Sequence, residues 1–183
     1  MIEAASVHGR FQPFHNGHLA YVREALQRAK HVHIGITRIT ADESPISDAT
    51  NHRFTDEANP FSYFERVEII KAALEGEGID LSRITAGPFP IEDIHNLAVF
   101  WPVGLTCFTT TVDAWNKTKI EILEAAGYTV EVVKDGAWKS ASMASGRTIR
   151  QLLKAGDDSW EVFVPKGAHD LIRHYSGRLT GPS

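Results

Sequence analysis

Hydrophobic and polar positions along the chain follow two periods, one typical of strands and one typical of helices. Short runs rich in strand formers occur at residues 4–8, 32–36, 83–86, 105–109 and 128–133. Between them, apolar side chains recur at helical spacing: Leu19, Val22, Leu26 and Ala29; Phe64, Val67, Ile70 and Leu74; Ile120, Leu123 and Ala126. A shorter helix is expected around residues 95–100. This strand and helix order predicts an α/β fold with a doubly wound parallel sheet.

The segment Gly9-Arg10-Phe11-Gln12-Pro13-Phe14-His15-Asn16-Gly17-His18 follows the first predicted strand. Ligands of such sheets bind beyond the carboxyl ends of the strands, where the strand order reverses. Gly9 permits the tight, left-handed conformation of a strand-to-loop corner. A helix is expected to begin near residue 16 or 17, so its unpaired N–H groups form an anion site. His15 and His18 add imidazole donors to those amides, which favours phosphate as the ligand.

Two other interpretations of the histidine pair are a structural role and half of a metal site. The metal site has weak support, because the single Cys107 offers little thiolate and no further His-rich cluster shows ligand spacing. His31 and His33 alternate on one side of a predicted strand, as in a half-buried sheet face. The joint occurrence of glycine, arginine, proline and both histidines favours phosphate binding.

Length and composition are those of a single domain. The chain has 183 residues and 43% hydrophobic content, enough for one sizeable core. A net charge of −4 argues against a nucleic-acid partner. One cysteine excludes an intramolecular disulfide framework, and no apolar run approaches the roughly 20 residues that span a bilayer. The N-terminus lacks a secretion pattern. We therefore expect one cytoplasmic domain over residues 1–183, with no nucleic-acid or membrane partner.

Two polar segments interrupt the alternation. Residues 37–59 are long for a connection in a compact domain, and we expect a lid, a binding loop or an oligomer contact, with disorder as the alternative. Residues 134–144 lead into Ser145-Gly146-Arg147-Thr148-Ile149-Arg150. Ser145 is a suitable N-cap for a helix that continues through Ile149 and Leu153. The hydroxyls and guanidiniums of this segment suit the binding of a second anion. The plainer interpretation is a capped surface helix with exposed arginines.

The segment from Gly9 to His18 resembles the G-R-F-x-P-x-H-x-G-H signature of the nucleotidylyltransferase superfamily, in the form used by archaeal-type nicotinamide mononucleotide adenylyltransferases. Further similar segments follow in the same order: Asn59-Pro60-Phe61 with Glu65-Arg66, Trp101-Pro102, Gly127-Tyr128, Ser145-Gly146 with Ile149-Arg150, and Trp160 to Pro165. The resemblance implies a Rossmann-like fold with a small C-terminal helical segment from about residue 145. Relative to the family, residues 37–59 look like an insertion.

The implied reaction is the attack of a phosphate monoester on the α-phosphorus of a nucleoside triphosphate, with loss of pyrophosphate. Since the nucleophile is ionised near pH 7, catalysis depends on positioning and on stabilising charge. The expected catalytic residues are His15, His18 and Arg150. The expected nucleotide and phosphate contacts are Gly9, Arg10, Phe11, Gln12, Gly17, Ser145, Arg147 and Thr148. Mg²⁺ is the expected cofactor, held mainly by the triphosphate and water.

The segment from Ser145 to Arg150 departs from the family at one position. Residues 145–150 are similar to the S-G-T-x-I-R motif that binds triphosphate, but Arg147 stands where the family has threonine. Thr148 supplies a hydroxyl one place later, and Arg150 still matches the phosphate-binding arginine.

Weaker signals bear on the substrates. Trp101 resembles the family's tryptophan near the nicotinamide pocket, and a stacking role and a core role are equally open. Thr109, Asp113 and Asn116 replace the usual T-G-N type segment, and we expect them to contact the nucleobase or ribose. Trp115 between them either stacks or packs. Adenine is the family expectation, with cytosine as the alternative.

The principal hypothesis is an Mg²⁺-dependent adenylyltransferase that joins ATP to nicotinamide mononucleotide, giving NAD⁺ and pyrophosphate. The alternative is a cytidylyltransferase or adenylyltransferase acting on another phosphomonoester or phosphonate. Class I aminoacyl-tRNA synthetases share the histidine element, but the chain is short for their added domains. A nucleotide-binding regulator is the hypothesis without turnover, and the intact His15, His18 and Arg150 argue against it. A homo-oligomer is also expected from the resemblance.

Overall fold

Five parallel strands form one sheet with helices on both faces. The structure is a computed structural model and describes residues 1–39, 55–110, 114–133 and 144–179. The strands are β1 (Ile2–Gly9), β2 (Ala29–Ile36), β3 (Ile84–Pro88), β4 (Thr106–Thr109) and β5 (Thr129–Val132). The α-helices are α1 (Asn16–Arg28), α2 (Tyr63–Gly76), α3 (Ile94–Phe100), α4 (Ala114–Ala125), α5 (Gly146–Ala155) and α6 (His169–Ser176). The predicted α/β fold with a doubly wound parallel sheet is confirmed.

The strand order reverses between β1 and β4. In the order β3-β2-β1-β4-β5, the chain moves outward from β1 in one direction and then returns to its other side. Ser6 of β1 pairs with Cys107 of β4 in parallel register. The carboxyl ends of these two strands therefore flank the crevice in which such sheets bind ligands. Because β1 ends at Gly9, the predicted phosphate-binding segment begins at this crevice.

Each face of the sheet carries its own apolar core. On the first face, α1, α2, α5 and α6 pack against strand residues that include Val7, Val32 and Ile34. On the second face, α3 and α4 surround a cluster that contains Phe89, Trp101 and Cys107. This division places α1 and α5, the two helices predicted to face phosphate, on the same side.

Two apolar positions differ from the expected helix faces. Ala29 lies in β2 rather than on α1, which ends at Arg28. Phe64 is 65% exposed, whereas the buried stripe of α2 begins with the polar pair Glu65 and Arg66. Both polar side chains are buried and bond to other parts of the chain, Glu65 to Arg178 and Arg66 to the carbonyl of Arg10, and Phe64 faces solvent.

Arg66 fastens the loops that follow β1 and β2. Its guanidinium is nearly inaccessible and donates to the carbonyls of Arg10 at 2.9 Å, Thr37 at 2.7 Å and Arg38 at 2.6 Å. A buried charge is tolerated when hydrogen bonds satisfy it, and here these carbonyls do so together with that of Ser62, which accepts from Nε at 3.3 Å. Through Arg66, helix α2 therefore holds the start of the predicted phosphate-binding segment in place.

The two polar segments of the sequence are described only at their ends. Residues 40–54 of the first and 134–143 of the second lie outside the described ranges. At the end of the first, Thr55 caps a 3-10 turn at Asp56–Ala58. Among the residues that the structure describes, no helix is long and apolar enough to cross a membrane.

Candidate active site

The start of α1 is organised by its two histidines. His15 is the N-cap, and its Nδ1 accepts a hydrogen bond from the Gly17 N–H at 3.1 Å. The Nδ1 of His18 accepts from the N–H of His15 at 3.3 Å. The two rings stack with their centroids 3.6 Å apart. The helix thus begins where the sequence predicts, and the histidines form a reciprocal cap.

These hydrogen bonds fix the protons on both rings. A neutral imidazole whose Nδ1 accepts a hydrogen bond carries its proton on Nε2. Desolvation lowers the pKa of His15 from 6.5 to about 4. Desolvation, followed by the proximity of His15 and Arg10, lowers the pKa of His18 well below its ordinary value. Each ring therefore keeps an Nε2–H donor at neutral pH.

Lowered histidine pKa values make stability depend on pH. The pKa values of His8, His15 and His18 all lie below 6.5 in the folded chain. The unfolded chain therefore binds more protons as the pH falls from 6.5 toward 4, and the free energy of unfolding decreases, by at most about 1.4 kcal/mol per histidine and pH unit. We expect Tm, followed by circular dichroism, to fall steadily from pH 7 to pH 5. A Tm that is flat or rises over this interval would contradict the assignment.

The residues between β1 and α1 position the histidines. Gly9 pairs with Ile36 as part of the sheet, so the predicted left-handed corner is wrong for Gly9, and Phe11 adopts it at φ 53°. The buried ring of Phe11 meets the ring of His18 edge-on, with centroids 4.8 Å apart. The side chain of Gln12 donates to the carbonyl of Phe61 at 2.8 Å and accepts from its N–H at 2.9 Å. The side chains of Phe11 and Gln12 therefore position the loop, and their contact with a nucleotide stays a prediction.

The N-terminus of α5 lies against this loop. Arg150 donates from Nη1 to the carbonyl of Gln12 at 2.7 Å. A Cβ on Gly146 would lie 2.9 Å from the same oxygen, so glycine permits the close approach. Ser145 caps the helix by accepting from the Thr148 N–H at 3.2 Å, and the two hydroxyls lie 3.0 Å apart. The two predicted helix N-termini are therefore brought together.

Positive charge is concentrated between the two helices. Burial lowers the pKa of Arg150, and the charge of Arg147 lowers it further, while Glu57 partly offsets both effects. Arg10 donates to the Ala58 carbonyl at 3.4 Å and lowers the pKa of His18. A bound polyanion would relieve the repulsion between the guanidiniums of Arg147 and Arg150, and the two helix N-termini would also attract it.

The structure describes only some of the residues that are expected to contact the substrates. Trp101 is 4% exposed, and its Nε1 donates to the Pro88 carbonyl at 2.6 Å, which makes it a core residue. Thr109 is buried at the carboxyl end of β4. Asp113 and the side chains of Trp115 and Asn116 lie outside the described residues.

Two buried polar residues near the crevice were not assigned roles from the sequence. In the sequence, Arg66 belongs to a segment that resembles the family, and its one signal is its position directly after Glu65. The sequence shows His8 only as the polar residue that ends the run from Ala4 to Val7, and it gives no sign that the ring is buried. Both lie next to the predicted phosphate-binding segment.

Metal coordination by the protein has little support in this site. Across the described parts of the chain, no group of three or more His, Cys, Asp or Glu side chains is placed to hold a metal ion.

The sequence matches known proteins along most of its length. A family model described as cytidylyltransferase-like matches residues 7–152. A phosphonoformate cytidylyltransferase of Streptomyces viridochromogenes is 29% identical over 168 residues, covering 91% of this chain and 89% of that protein. A nicotinamide-nucleotide adenylyltransferase of Saccharolobus solfataricus is 33% identical over 169 residues, covering 92% and 89%.

A solved structure with the same fold comes from Francisella tularensis. It is a bifunctional NMN adenylyltransferase/ADP ribose pyrophosphatase complexed with AMP and a manganese ion, with a TM-score of 0.66 and 20% identity. The match covers 98% of this chain and 52% of that protein, so this chain spans about half its length. At this identity, the likeness shows the fold.

Proposed function

Since the chain belongs to the cytidylyltransferase-like family and is an enzyme of the nucleotidyltransferase class, we propose that its two-helix site transfers a nucleoside monophosphate group from a nucleoside triphosphate to a phosphate or phosphonate acceptor. The proposal rests on the contact between Arg150 and the Gln12 carbonyl, which places the N-termini of α1 and α5 close together. This arrangement supplies donors and positive charge for a triphosphate.

In this proposal, the chain's residues hold the triphosphate and stabilise the leaving group. The Nε2–H groups of His15 and His18 donate to α- and β-phosphate oxygens, and Arg150 neutralises the β and γ end. Arg147, the Thr148 hydroxyl and Arg10 complete the contacts. An acceptor oxygen forms a bond to the α-phosphorus as the bond to the bridging oxygen breaks, and pyrophosphate departs. Because the acceptor is already ionised, no residue has to remove a proton.

A divalent cation, with Mg²⁺ as the proposed ion, would reach the site with the triphosphate. Bound there, it reduces the repulsion between the two anionic substrates. The proposed coordination is by phosphate oxygens and water.

Two substrate pairs are candidates. ATP with nicotinamide mononucleotide, giving NAD⁺, is supported by several archaeal relatives of that name at 31–34% identity. CTP with a small phosphonate is supported by the Streptomyces relative, which is named for phosphonoformate. The burial of Trp101 favours the second pair, because an indole packed on the sheet and bonded to Pro88 offers no free face to a nicotinamide ring.

A matrix of substrates tests the proposal. ATP, CTP, GTP and UTP are each combined with nicotinamide mononucleotide, phosphonoformate or no acceptor, in the presence of Mg²⁺. We expect pyrophosphate release that requires both a triphosphate and an acceptor, with the joined product seen by ³¹P NMR. Release that is independent of the acceptor, or no release from any pair, would contradict the proposal.

Location in the cytoplasm and assembly into a homo-oligomer remain predictions. Light scattering of the purified chain tests the second.

A further inference from the structure

Residues 58–61, here called the strap, contact the predicted phosphate-binding segment at two places. The Ala58 carbonyl accepts a hydrogen bond from the guanidinium of Arg10 at 3.4 Å. The backbone of Phe61 forms two hydrogen bonds with the side-chain amide of Gln12, one at 2.8 Å and one at 2.9 Å. The position of the loop between β1 and α1 therefore depends on the position of the strap.

Arg178, in the short turn Gly177–Leu179 that follows α6, binds both the strap and the helix after it. Its Nη2 donates to the Pro60 carbonyl at 2.7 Å and to Oε2 of Glu65 at 2.6 Å. Its Nη1 donates to Oε1 of Glu65, also at 2.6 Å. A forked contact of this kind fixes the orientation of both groups more firmly than a single hydrogen bond does. Arg178 therefore joins the strap to the first turn of α2.

Glu65 is a fixed partner for this contact. Its Oε2 accepts from the N–H of Ser62 at 2.8 Å, and the Ser62 hydroxyl accepts from the N–H of Glu65 at 3.3 Å. This capping box holds the carboxylate at the start of α2. The hydrogen bond from Arg178 lowers the pKa of Glu65 and outweighs the opposite effect of burial, so the carboxylate is ionised at neutral pH. The pair of Arg178 and Glu65 is therefore charged on both sides and held at its helix end.

A continuous series of contacts leads from Arg178 to the proposed triphosphate site. The strap binds the side chain of Gln12 through Phe61, and the carbonyl of Gln12 accepts from Arg150 at 2.7 Å. A shift of the strap would therefore move the guanidinium that is proposed to neutralise the β and γ phosphates. Because the Phe61 ring is 1% exposed, the core keeps the strap attached without Arg178, and the expected shift is small. A misplacement of about 1 Å can still lower a rate about 100-fold.

We propose that Arg178 is a positioning residue for nucleotidyl transfer, which holds Pro60 and Glu65 and thereby sets the position of the Gln12 carbonyl and of Arg150. This role rests on the proposed function, because it is there that Arg150 is placed at the triphosphate. Arg178 acts through the strap and does not touch the substrates. Its removal should therefore affect the use of the triphosphate and leave the use of the acceptor unchanged.

Steady-state kinetics of Arg178→Ala in two backgrounds test this role, with the best substrate pair of the matrix and below the Tm of every variant. In the wild-type background, we expect kcat/KM for the triphosphate to fall about tenfold and the KM of the acceptor to stay within about twofold. In the Arg150→Ala background, the same substitution should change kcat/KM by less than about twofold, because the guanidinium that it positions is absent. Equal losses in both backgrounds, as for substitutions at independent sites, would overturn the inference.

Two further variants separate positioning from charge. Arg23→Ala is the matched control, because the side chains of Arg23 and Arg178 are both 49% exposed, and Arg23 pairs at 2.8 Å with Glu77 at the other end of α2. It should leave kcat/KM within about twofold, as for other exposed ion pairs. Arg178→Lys keeps the charge but not the forked contact, and it should recover part of the loss. Full activity in Arg178→Ala, or an equal loss in Arg23→Ala, would contradict the positioning role.

Binding measurements separate this inference from the proposed function. Calorimetric titrations with ATP and CTP in the presence of Mg²⁺ report on the triphosphate site without any transfer. A Kd that rises in Arg178→Ala only when Arg150 is present, in a chain that shows no transfer with any pair of the matrix, would support the positioning role and overturn the transfer. Transfer by the wild type, with equal losses from Arg178→Ala in both backgrounds, would overturn the positioning role and leave the transfer in place.

Discussion

Replacing His18 by alanine is expected to lower kcat by about 100-fold or more, the effect of losing one donor fixed toward developing charge. The wild-type ring is held by Phe11 on one side and by the N–H of His15 at its Nδ1. Its Nε2–H is therefore available without reorganisation. The measurement is steady-state turnover with the best substrate pair of the matrix.

Two further substitutions at position 18 separate donor and cap. His18→Asn can retain an acceptor for the His15 N–H but loses the distal donor, and it should be as slow as His18→Ala. His18→Gln extends an amide N–H toward the Nε2 position and should recover part of the rate. Near-normal kcat in His18→Ala at unchanged Tm would refute the assigned role.

Replacing Arg150 by alanine is expected to lower kcat/KM for the triphosphate by about 100-fold or more, because charge-assisted contacts to the phosphates are lost. The guanidinium bonds to the Gln12 carbonyl and carries further N–H groups for a ligand. Arg150→Lys should recover only part of the loss, since a single ammonium cannot reproduce this forked geometry.

Lys154 supplies the matched control on the same helix. It is exposed and pairs with Glu57 at 3.1 Å. Lys154→Ala therefore removes one positive charge from α5 and keeps the contact between Arg150 and the Gln12 carbonyl. Its effect on kcat/KM should be small, as for other exposed ion pairs. Equal losses in Arg150→Ala and Lys154→Ala would mean that α5 contributes only general charge.

The fold could be predicted from the sequence because its local signals agree with one another. Helix α1 begins at its reciprocal histidine cap, and α5 begins at a serine whose hydroxyl accepts a backbone N–H. Because strands and helices alternate along the chain, a parallel sheet covered by helices is the expected fold. Such signals act within one turn of chain, which is why the sequence alone carries them.

Parts of the site could not be predicted because they depend on contacts distant in sequence. Gln12 looks like a free polar residue, and only the position of Phe61 shows that its amide is used. The sequence leaves Trp101 open between stacking and packing, and only its contact with the Pro88 carbonyl shows that it packs. His8 is a strand residue in the sequence, and only the folded chain shows that its ring is buried without a hydrogen-bond partner.

The bond between Arg150 and the Gln12 carbonyl joins residues 138 positions apart in the chain. During synthesis on the ribosome, His15 and His18 emerge early, but the guanidinium opposite them is made only after the strands have been completed. Contacts between such distant residues are late and slow events in folding. A nucleoside triphosphate that requires both helices would bind the completed fold and not earlier intermediates, so it would draw the folding equilibrium toward the finished enzyme.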